Sequence, residues 1–350
     1  MPATDLTPRD AAGAQQAPLL TIIIKALNEE QHIEACLRSA LAECEGLDAE
    51  VLLVDSLSRD RTVAIARQFG VRIVQFVSTD DRNCGAALQL GYQYARGRYL
   101  YVLDGDMTLE PGFIAQALAY LEAHPGVAGV GGRLIDTAVR TVADKMRVQQ
   151  YASLAPERDV TALGGGGLYR GAAIEAVGYL ANRWLAAFEE AELGARLRAA
   201  GWRLVRLALP AVRHSGHNET SLQMMLRLWR IGRIEASGVF LRAAFGHRWF
   251  KYAARTCWFV FAAPALYLAA GLLAGAAALA GAAFWPALGA SVAAVWGVSL
   301  GMLFWRKKDL HGACIAILAW HMHSVGAARG FLRPARDPQI AIPACLLSDR

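Results

Sequence analysis

From Leu19 onward, apolar and polar positions alternate in blocks. Leu19–Ile24 is a short apolar run rich in β-branched residues, closed by the polar break Asn28-Glu29-Glu30. A run of that length bounded by polar residues reads as a buried strand. Ile33, Leu37 and Leu41 then recur at helical spacing. The same reasoning predicts strands at Val51–Val54, Val71–Phe76 and Tyr99–Leu103, with helices at Arg61–Phe69 and Gly85–Ala95 between them. Strands alternating with helices through short connections predict an α/β domain, a parallel sheet covered on both faces.

The second half is less regular. Four glycines, Gly164–Gly167, precede Tyr169-Arg170 and a helix at Ala172–Val177. Glu189–Ala200 is a further helix stopped by Gly201, and Trp202–Ala208 a strand leading to Pro210 and His214. Over 219–247 the apolar residues Leu222, Met225, Leu226 and Trp229 mix with Arg227, Arg230 and Arg233, the pattern of a helix lying in a membrane interface.

Composition sharpens one point. The chain of 350 residues is 55% apolar, with a mean hydropathy of +0.27, but the excess is local: nothing from Thr256 to Trp305 is charged. A spanning helix needs about 20 apolar residues, so this stretch fits two spans and a turn. Trp285 and Pro286 mark the far turn, and Gly271/Gly275 and Gly297/Gly301 are small-residue spacings that let helices approach. Gly312–Leu332, with His321, His323 and Ser324, reads as an interfacial or re-entrant segment. The net charge of +6 has a local explanation too. Arg242, Arg248, Lys251 and Arg255 precede the apolar run and Arg306, Lys307 and Lys308 follow it, placing both flanks on the cytoplasmic side. No aromatic-interleaved basic motif points to nucleic acid. The six cysteines are scattered, without metal-site or disulfide-scaffold spacing, and no secretory signal is expected before Leu19.

The polar residues that interrupt this pattern carry the chemistry. Asn28 follows the first strand, Asp55 ends the second, and Asp104 and Asp106 follow the fourth. In an open α/β sheet, ligands bind outside the carboxyl ends of the strands. Asp104-Gly105-Asp106 brings two carboxylates within reach of one oxygen-seeking cation, Mn²⁺ or Mg²⁺, whose shell is completed by water and substrate phosphates.

Several segments in order resemble the inverting glycosyltransferases of family two, over about Leu19 to Gly246. Ala26-Leu27-Asn28-Glu29-Glu30 stands where that family has a strand ending in P-x-Y-N-E, and Val54–Thr62 is similar to its V-D-x-x-S-x-D-x-T segment. Arg82-Asn83-Cys84-Gly85-Ala86-Ala87 resembles its R-N-x-G-x-A turn, Leu103–Asp106 its metal motif, and Phe188–Leu193 its E-D-x-D-L segment. The resemblance implies a GT-A fold, Rossmann-like and mainly parallel with helices on both faces, followed here by an α-helical membrane region. It implies a donor site of Leu27, Asn28, Glu29, Asp55, Arg82, Asn83 and Asp104, with Asp55 on the nucleobase. It implies a metal held by Asp104, Asp106 and His214, with His217 a competitor, and Glu190 as catalytic base. On the acceptor side stand Gly165, Gly166, Glu189, Glu192, Arg227 and Trp229. The family's proline and tyrosine in the first motif are replaced, with Leu27 where an aromatic often covers the base, so the nucleotide stays open.

The resulting expectation is a tail over 1–18, a GT-A domain over 19–218 and an amphipathic region over 219–252. A membrane region follows over 253–335, with spans at about 256–283 and 287–305 and the further segment at 312–332, and then a tail over 336–350. The expected activity is metal-dependent, inverting transfer of a sugar from a nucleotide-sugar donor to a hydroxyl of a lipid-linked or polysaccharide acceptor. It would take place at a bacterial-type cytoplasmic membrane, with the catalytic domain facing the cytoplasm and membrane lipids as partners. Transfer to a polyprenyl phosphate, and a non-catalytic role in a polysaccharide synthesis or export complex, remain as alternatives. A Q-x-x-R-W motif of processive synthases is only loosely matched by Gln223–Trp229, whose spacing is one residue too long.

Overall fold

The computed structural model describes residues 17–136, 157–214 and 221–349. His217 and most of the expected N-terminal tail lie outside the described residues. The chain divides into two compact units, Met1–Asn218 together with Arg336–Arg350, and Glu219–Ala335.

The first unit begins as the alternation predicts: β1 (Leu20–Ala26), α1 (Ile33–Cys44), β2 (Ala49–Asp55), α2 (Thr62–Ala66), β3 (Arg72–Phe76), α3 (Cys84–Tyr94) and β4 (Tyr99–Asp104). β1 pairs in parallel with both β2 and β4, and β2 with β3. Central parallel strands bury both faces, which is why Leu20-Thr-Ile-Ile-Ile reads as a nearly continuous apolar run. Period-two geometry then splits it: Leu20, Ile22 and Ile24 pack with Ile33, Leu37 and Phe113, whereas Ile23 packs with Leu52, Val54, Leu100 and Leu90 on the opposite face. Each such fully buried Ile or Leu contributes about 1.5–3 kcal/mol.

The later strands depart from a purely parallel sheet. β5 (Met107–Leu109), α4 (Phe113–Ala123), β6 (Val127–Asp136), β7 (Glu157–Asp159), β8 (Gly167–Arg170), α5 (Gly171–Ala176), α6 (Glu189–Ala199) and β9 (Arg203–His214) complete the unit together with β10 (Ala344–Ser348). The ten-stranded sheet runs β10-β3-β2-β1-β4-β8-β6-β9-β5, with β7 also on β9. β8 is antiparallel to β4 and β6, and β5 is antiparallel to β9. Residues 336–350, which the sequence reads as a tail, end in the edge strand β10 against β3, with Asp349 paired to Arg72. The segment is short and only half apolar, so no periodic signal announces it.

The second unit is helical: α7 (Ser221–Arg230), α8 (Ala236–Ala244), α9 (Phe250–Thr256), α10 (Ala262–Leu279), α11 (Phe284–Lys307) and α12 (Leu310–Leu332). Trp258–Leu279 and Phe284–Lys307 are long and apolar enough to cross a membrane, by length and composition. At 1.5 Å per residue each reaches about 33–36 Å, and α11 buries none of its residues within the chain. Pro286 falls in the first turn of α11, where a missing N–H costs nothing, so the break itself lies at Ala280–Ala283. α12 is one unbroken helix, and it does not pass that test of length and composition. The glycine spacings behave differently from expectation. A Cβ at Gly271, Gly275, Gly297 or Gly301 would meet nothing within 4 Å, whereas one at Gly330 would lie 2.1 Å from the Glu235 carbonyl and one at Gly238 2.0 Å from that of Ala327. The glycines that lie under a neighbouring carbonyl are thus at the contact of α8 and α12, whereas the two apolar helices pack against each other without relying on theirs.

Candidate active site

The first two motifs form one structure. The Asn28 N–H donates to Ser58 Oγ (2.9 Å), the Glu29 N–H to Thr62 Oγ1 (2.8 Å) and the Glu30 N–H to Asp60 Oδ2 (3.0 Å). Asn28 returns a bond by accepting from the Arg59 N–H at 2.8 Å, with its own backbone at φ 57°. Asparagine tolerates this left-handed conformation better than most residues. The polar side chains of the second motif therefore sew the β2–α2 loop to the end of β1. Leu27 stays exposed beside this seam.

Asp55 is fully buried at the end of β2. Its Oδ2 accepts from Gln75 Nε2 at 2.7 Å and from the Ser58 N–H at 3.1 Å. Arg82 donates to the Ser56 carbonyl at 3.2 Å, which keeps it next to the same loop. Asn83, expected on the donor side, has a structural task at the start of α3. Its Oδ1 caps α3 by accepting from the Ala86 N–H, and its Nδ2 donates to the Arg183 carbonyl, both at 2.9 Å.

Asp104 and Asp106 stand where β4 stops. Gly105 between them sits in a tight space, since a Cβ there would lie 3.1 Å from the Ala26 Cβ and 3.2 Å from the Glu29 Cγ. Asp104 Oδ1 is 3.0 Å from Lys25 Nζ, and Asp106 Oδ2 is 3.2 Å from His214 Nε2. His214 arrives through strand pairing, because Met107 and His214 are opposite one another in the β5–β9 ladder. No three Asp, Glu, His or Cys side chains among the described residues form a ready-made metal cage. The adjacent carboxylate and imidazole of Asp106 and His214 are nonetheless suitable donors for a divalent cation.

Across the same edge lies the start of α6. Phe188, at φ 69°, turns the chain into it, and Glu189 Oε1 meets Lys25 Nζ at 3.2 Å. Glu190 is partly exposed. Burial of its carboxyl, together with the nearby Glu189 and Asp104, pushes its pKa up to about 7 against the opposing pull of Lys25 and Arg206. Gly164–Gly166 all have positive φ, and a Cβ at Gly164 would come 3.4 Å from Glu190 Oε2. Those at Gly165 and Gly166 would meet Leu134 at 2.4 Å and the Tyr101 hydroxyl at 2.8 Å, so only glycine fits this run. Buried Arg206 secures the loop, donating to the carbonyls of Leu163 and Gly132.

Glu192, expected on the acceptor side, is elsewhere. Two residues along a helix rotate a side chain by about 200°, and Glu192 is fully buried against the Tyr179 hydroxyl (2.5 Å) and Arg196 Nη2 (2.8 Å). Arg227 and Trp229 belong to the second unit, where the Arg329 guanidinium sits 5.2 Å above the Trp229 ring. Sequence reasoning missed Lys25 and Arg206. A lysine directly after Ile22-Ile23-Ile24 was the available signal, since a buried strand holds a cation only beside partners.

Residues 21–161 match the model of Glycosyl transferase family 2. Over these residues the chain is similar to the family 2 glycosyltransferases. Glu190 and His214 lie beyond the matched residues. Among relatives, the chain is 36% identical over 97 residues to the succinoglycan biosynthesis protein ExoO of Rhizobium meliloti (strain 1021), covering 27% of this chain and 28% of that one. It is 31% identical over 134 residues to the undecaprenyl-phosphate 4-deoxy-4-formamido-L-arabinose transferase of Pseudomonas fluorescens (strain Pf0-1), covering 36% and 39%. The chain thus spans well under half the length of these curated relatives. Residues 1–349 of S. aureus TarS have a similar fold, with a TM-score of 0.52 at 17% identity over 89% of this chain and 91% of that one. So does the mannosyltransferase PcManGT from Pyrobaculum calidifontis in complex with GDP-Man and Mn2+, with a TM-score of 0.50 at 17% identity over 93% and 90%. The domain here has the GT-A fold, a mostly parallel sheet flanked by helices, with a helical region after it.

Proposed function

We propose that the chain is a metal-dependent, inverting glycosyltransferase that moves a sugar from a nucleotide-sugar donor to a hydroxyl of a membrane-associated acceptor. The observation that carries this reading is the meeting of two carboxylate pairs at one sheet edge: Asp104 and Asp106 at the end of β4, and Glu189 and Glu190 at the start of α6, joined by Lys25. The family match and the Mn²⁺ bound to the P. calidifontis protein support it.

In this reading Asp106 and His214 hold a divalent cation, Mn²⁺ or Mg²⁺, with Asp104 on the donor side. Such a cation, when bound, stabilises charge on the departing nucleoside diphosphate. Asp55, Arg82, Asn28 and Glu29 shape the nucleotide end, with Leu27 against the base. Glu190 takes the proton from the acceptor hydroxyl. A carboxyl with pKa near 7 is well suited to this, being partly ionised at neutral pH yet basic enough to accept a proton. The hydroxyl oxygen bonds to the anomeric carbon as its bond to the diphosphate breaks on the opposite face, inverting the centre. Gly165 and Gly166 bring backbone close to where the acceptor would enter. Trp258–Leu279 and Phe284–Lys307 would anchor the chain in a cytoplasmic-type membrane with both flanks inside.

A second reading keeps the site and changes the acceptor to a polyprenyl phosphate. Its support is the 31% identical undecaprenyl-phosphate transferase. A phosphate oxygen is already anionic and needs no base, so Glu190→Gln separates the two. The direct test is nucleotide release by the full chain across a panel of sugar nucleotides, with membrane lipid extract as acceptor. Release that requires divalent metal and Glu190 supports the hydroxyl reading, and release insensitive to Glu190→Gln supports the phosphate reading. Release that persists in EDTA contradicts the metal assignment.

A further inference from the structure

Lys25 belongs to none of the roles above, yet it is the group through which the two carboxylate pairs meet. With the P-x-Y-N-E pattern placed on Asn28-Glu29, the proline position falls on Lys25, so the family pattern assigns this residue nothing. It sits opposite Asp104 in the β1–β4 ladder. Its side chain is only 15% exposed, and that of Glu189 9%. The ammonium has three N–H donors, and contacts Asp104 Oδ1 at 3.0 Å and Glu189 Oε1 at 3.2 Å. A lysine this enclosed costs free energy unless paired, and two carboxylates facing each other without it would repel. α6 has no side-chain cap at its N-terminus, and the left-handed Phe188 leads into it. The Glu189–Lys25 contact is thus a direct tie from the sheet to the first turn of that helix, one residue from Glu190.

We propose that Lys25 is a positioning residue: its ammonium ties Asp104 on the donor side to Glu189, and so fixes the helix start that presents Glu190 to the acceptor. The proposal rests on the transferase reading above. Lys25 touches neither reacting group. It acts by holding Glu190 at a set distance from the donor, and a misplacement of about 1 Å can cost about 10²-fold in rate. The contact with Asp104 makes β1 the reference for both sides of the reaction. A tie of this kind is felt in turnover more than in donor affinity, because the seam of Asn28, Glu29, Ser58 and Thr62 does not depend on it.

The test uses the full chain in membranes, with kcat and donor KM measured for the wild type, Lys25→Met, Lys25→Arg, Glu189→Gln and the double variant Lys25→Met/Glu189→Gln. Lys25→Met is expected to lower kcat about 10²-fold with donor KM within about threefold. Lys25→Arg should recover most of the loss, because a cation of similar reach restores both contacts. Glu189→Gln should lose kcat in the same sense, and adding it to Lys25→Met should cost nothing further, as members of one tie are non-additive. If Lys25→Met fails to fold, Glu189→Gln and Lys25→Arg carry the same comparison, with thermal melting to show that they are intact. The proposal is overturned if folded Lys25→Met, or folded Glu189→Gln, keeps kcat within about twofold, or if the two losses multiply. Wild-type chain that releases no nucleotide from any donor overturns the transferase reading, and the proposal with it. Wild-type turnover alongside an indifferent Lys25 overturns the proposal alone.

Discussion

Helix α6 separates two groups of acids that differ in how completely they are answered. On its buried side, Glu192 is enclosed by the Tyr179 hydroxyl and Arg196, and Arg196 goes on to donate to the carbonyls of Val177 and Tyr179. At its first turn, Glu189 shares Lys25 with Asp104 across the sheet edge, and Glu190 lies within reach of the Asp104 charge. The enclosed acid makes a closed knot that fastens the helix to the loop before it. The acids at the edge share that one ammonium, and burial of the Glu190 carboxyl, with Glu189 and Asp104 nearby, pushes its pKa up to about 7. An acid with a full set of partners stabilises a fold, and an acid short of them is able to take part in chemistry.

The largest effect expected to sharpen that contrast is at Asp106. Asp106→Asn removes a charged donor from the position beside His214, and turnover should fall by at least about 10³-fold, in line with the several kcal/mol a Lewis acid supplies. Nucleotide release in the presence of added Mn²⁺ is the measurement, and melting temperature should barely change.

Next is Glu190. Glu190→Gln should lower transfer about 10²- to 10⁴-fold while donor binding persists. Its pH dependence follows from the raised pKa. A base whose pKa lies near 7 loses its active form as pH falls through 7, so kcat/KM should decline toward a slope of about tenfold per pH unit on the acid side and level off above. A profile flat from pH 5 to 9 would remove Glu190 from that role.

Glu192 should give the opposite pattern. Glu192→Gln leaves Arg196 as a buried cation without its carboxylate, a loss of about 3–5 kcal/mol in stability for a broken buried pair. The surviving folded protein should turn over at nearly the wild-type rate. If Glu192→Gln is instead stable and dead, the division of α6 into two sides is mistaken. The smallest effect is at Gly164, where alanine would sit in a left-handed conformation at a cost of about 1–2 kcal/mol, next to Glu190 Oε2. A small drop in melting temperature and a few-fold change in kcat are expected there.

These contrasts were unevenly visible in the sequence. β1 to β4 and their helices were legible because parallel strands buried on both faces leave unbroken apolar runs, and Asp55, Asp104 and Asp106 were legible because they end those runs. β5, β7 and β8 were not, since three or four residues give no period to read. β10 is an edge strand recruited from the far end of the chain, a pairing that nothing local dictates. Glu192 was misplaced because the segment Glu189-Glu190-Ala191-Glu192 shows spacing but not which face is covered. The motif that holds Asn83 gives no sign that its amide also caps α3. The glycines at Gly271 and Gly297 looked like packing signals and have nothing against them, while Gly330, inside a less apolar helix, lies under a neighbouring carbonyl. Lys25 was passed over because it lies within a strand rather than after one.

The central claim is that the sheet edge transfers a sugar using Glu190 as base, and one measurement meets it most directly. The full chain in native membranes is given a panel of sugar nucleotides, and released nucleoside diphosphate is followed for the wild type and Glu190→Gln. The account predicts metal-dependent release from at least one donor by the wild type, reduced about 10²-fold or more in Glu190→Gln. Equal release by both proteins, or none from any donor, would contradict it.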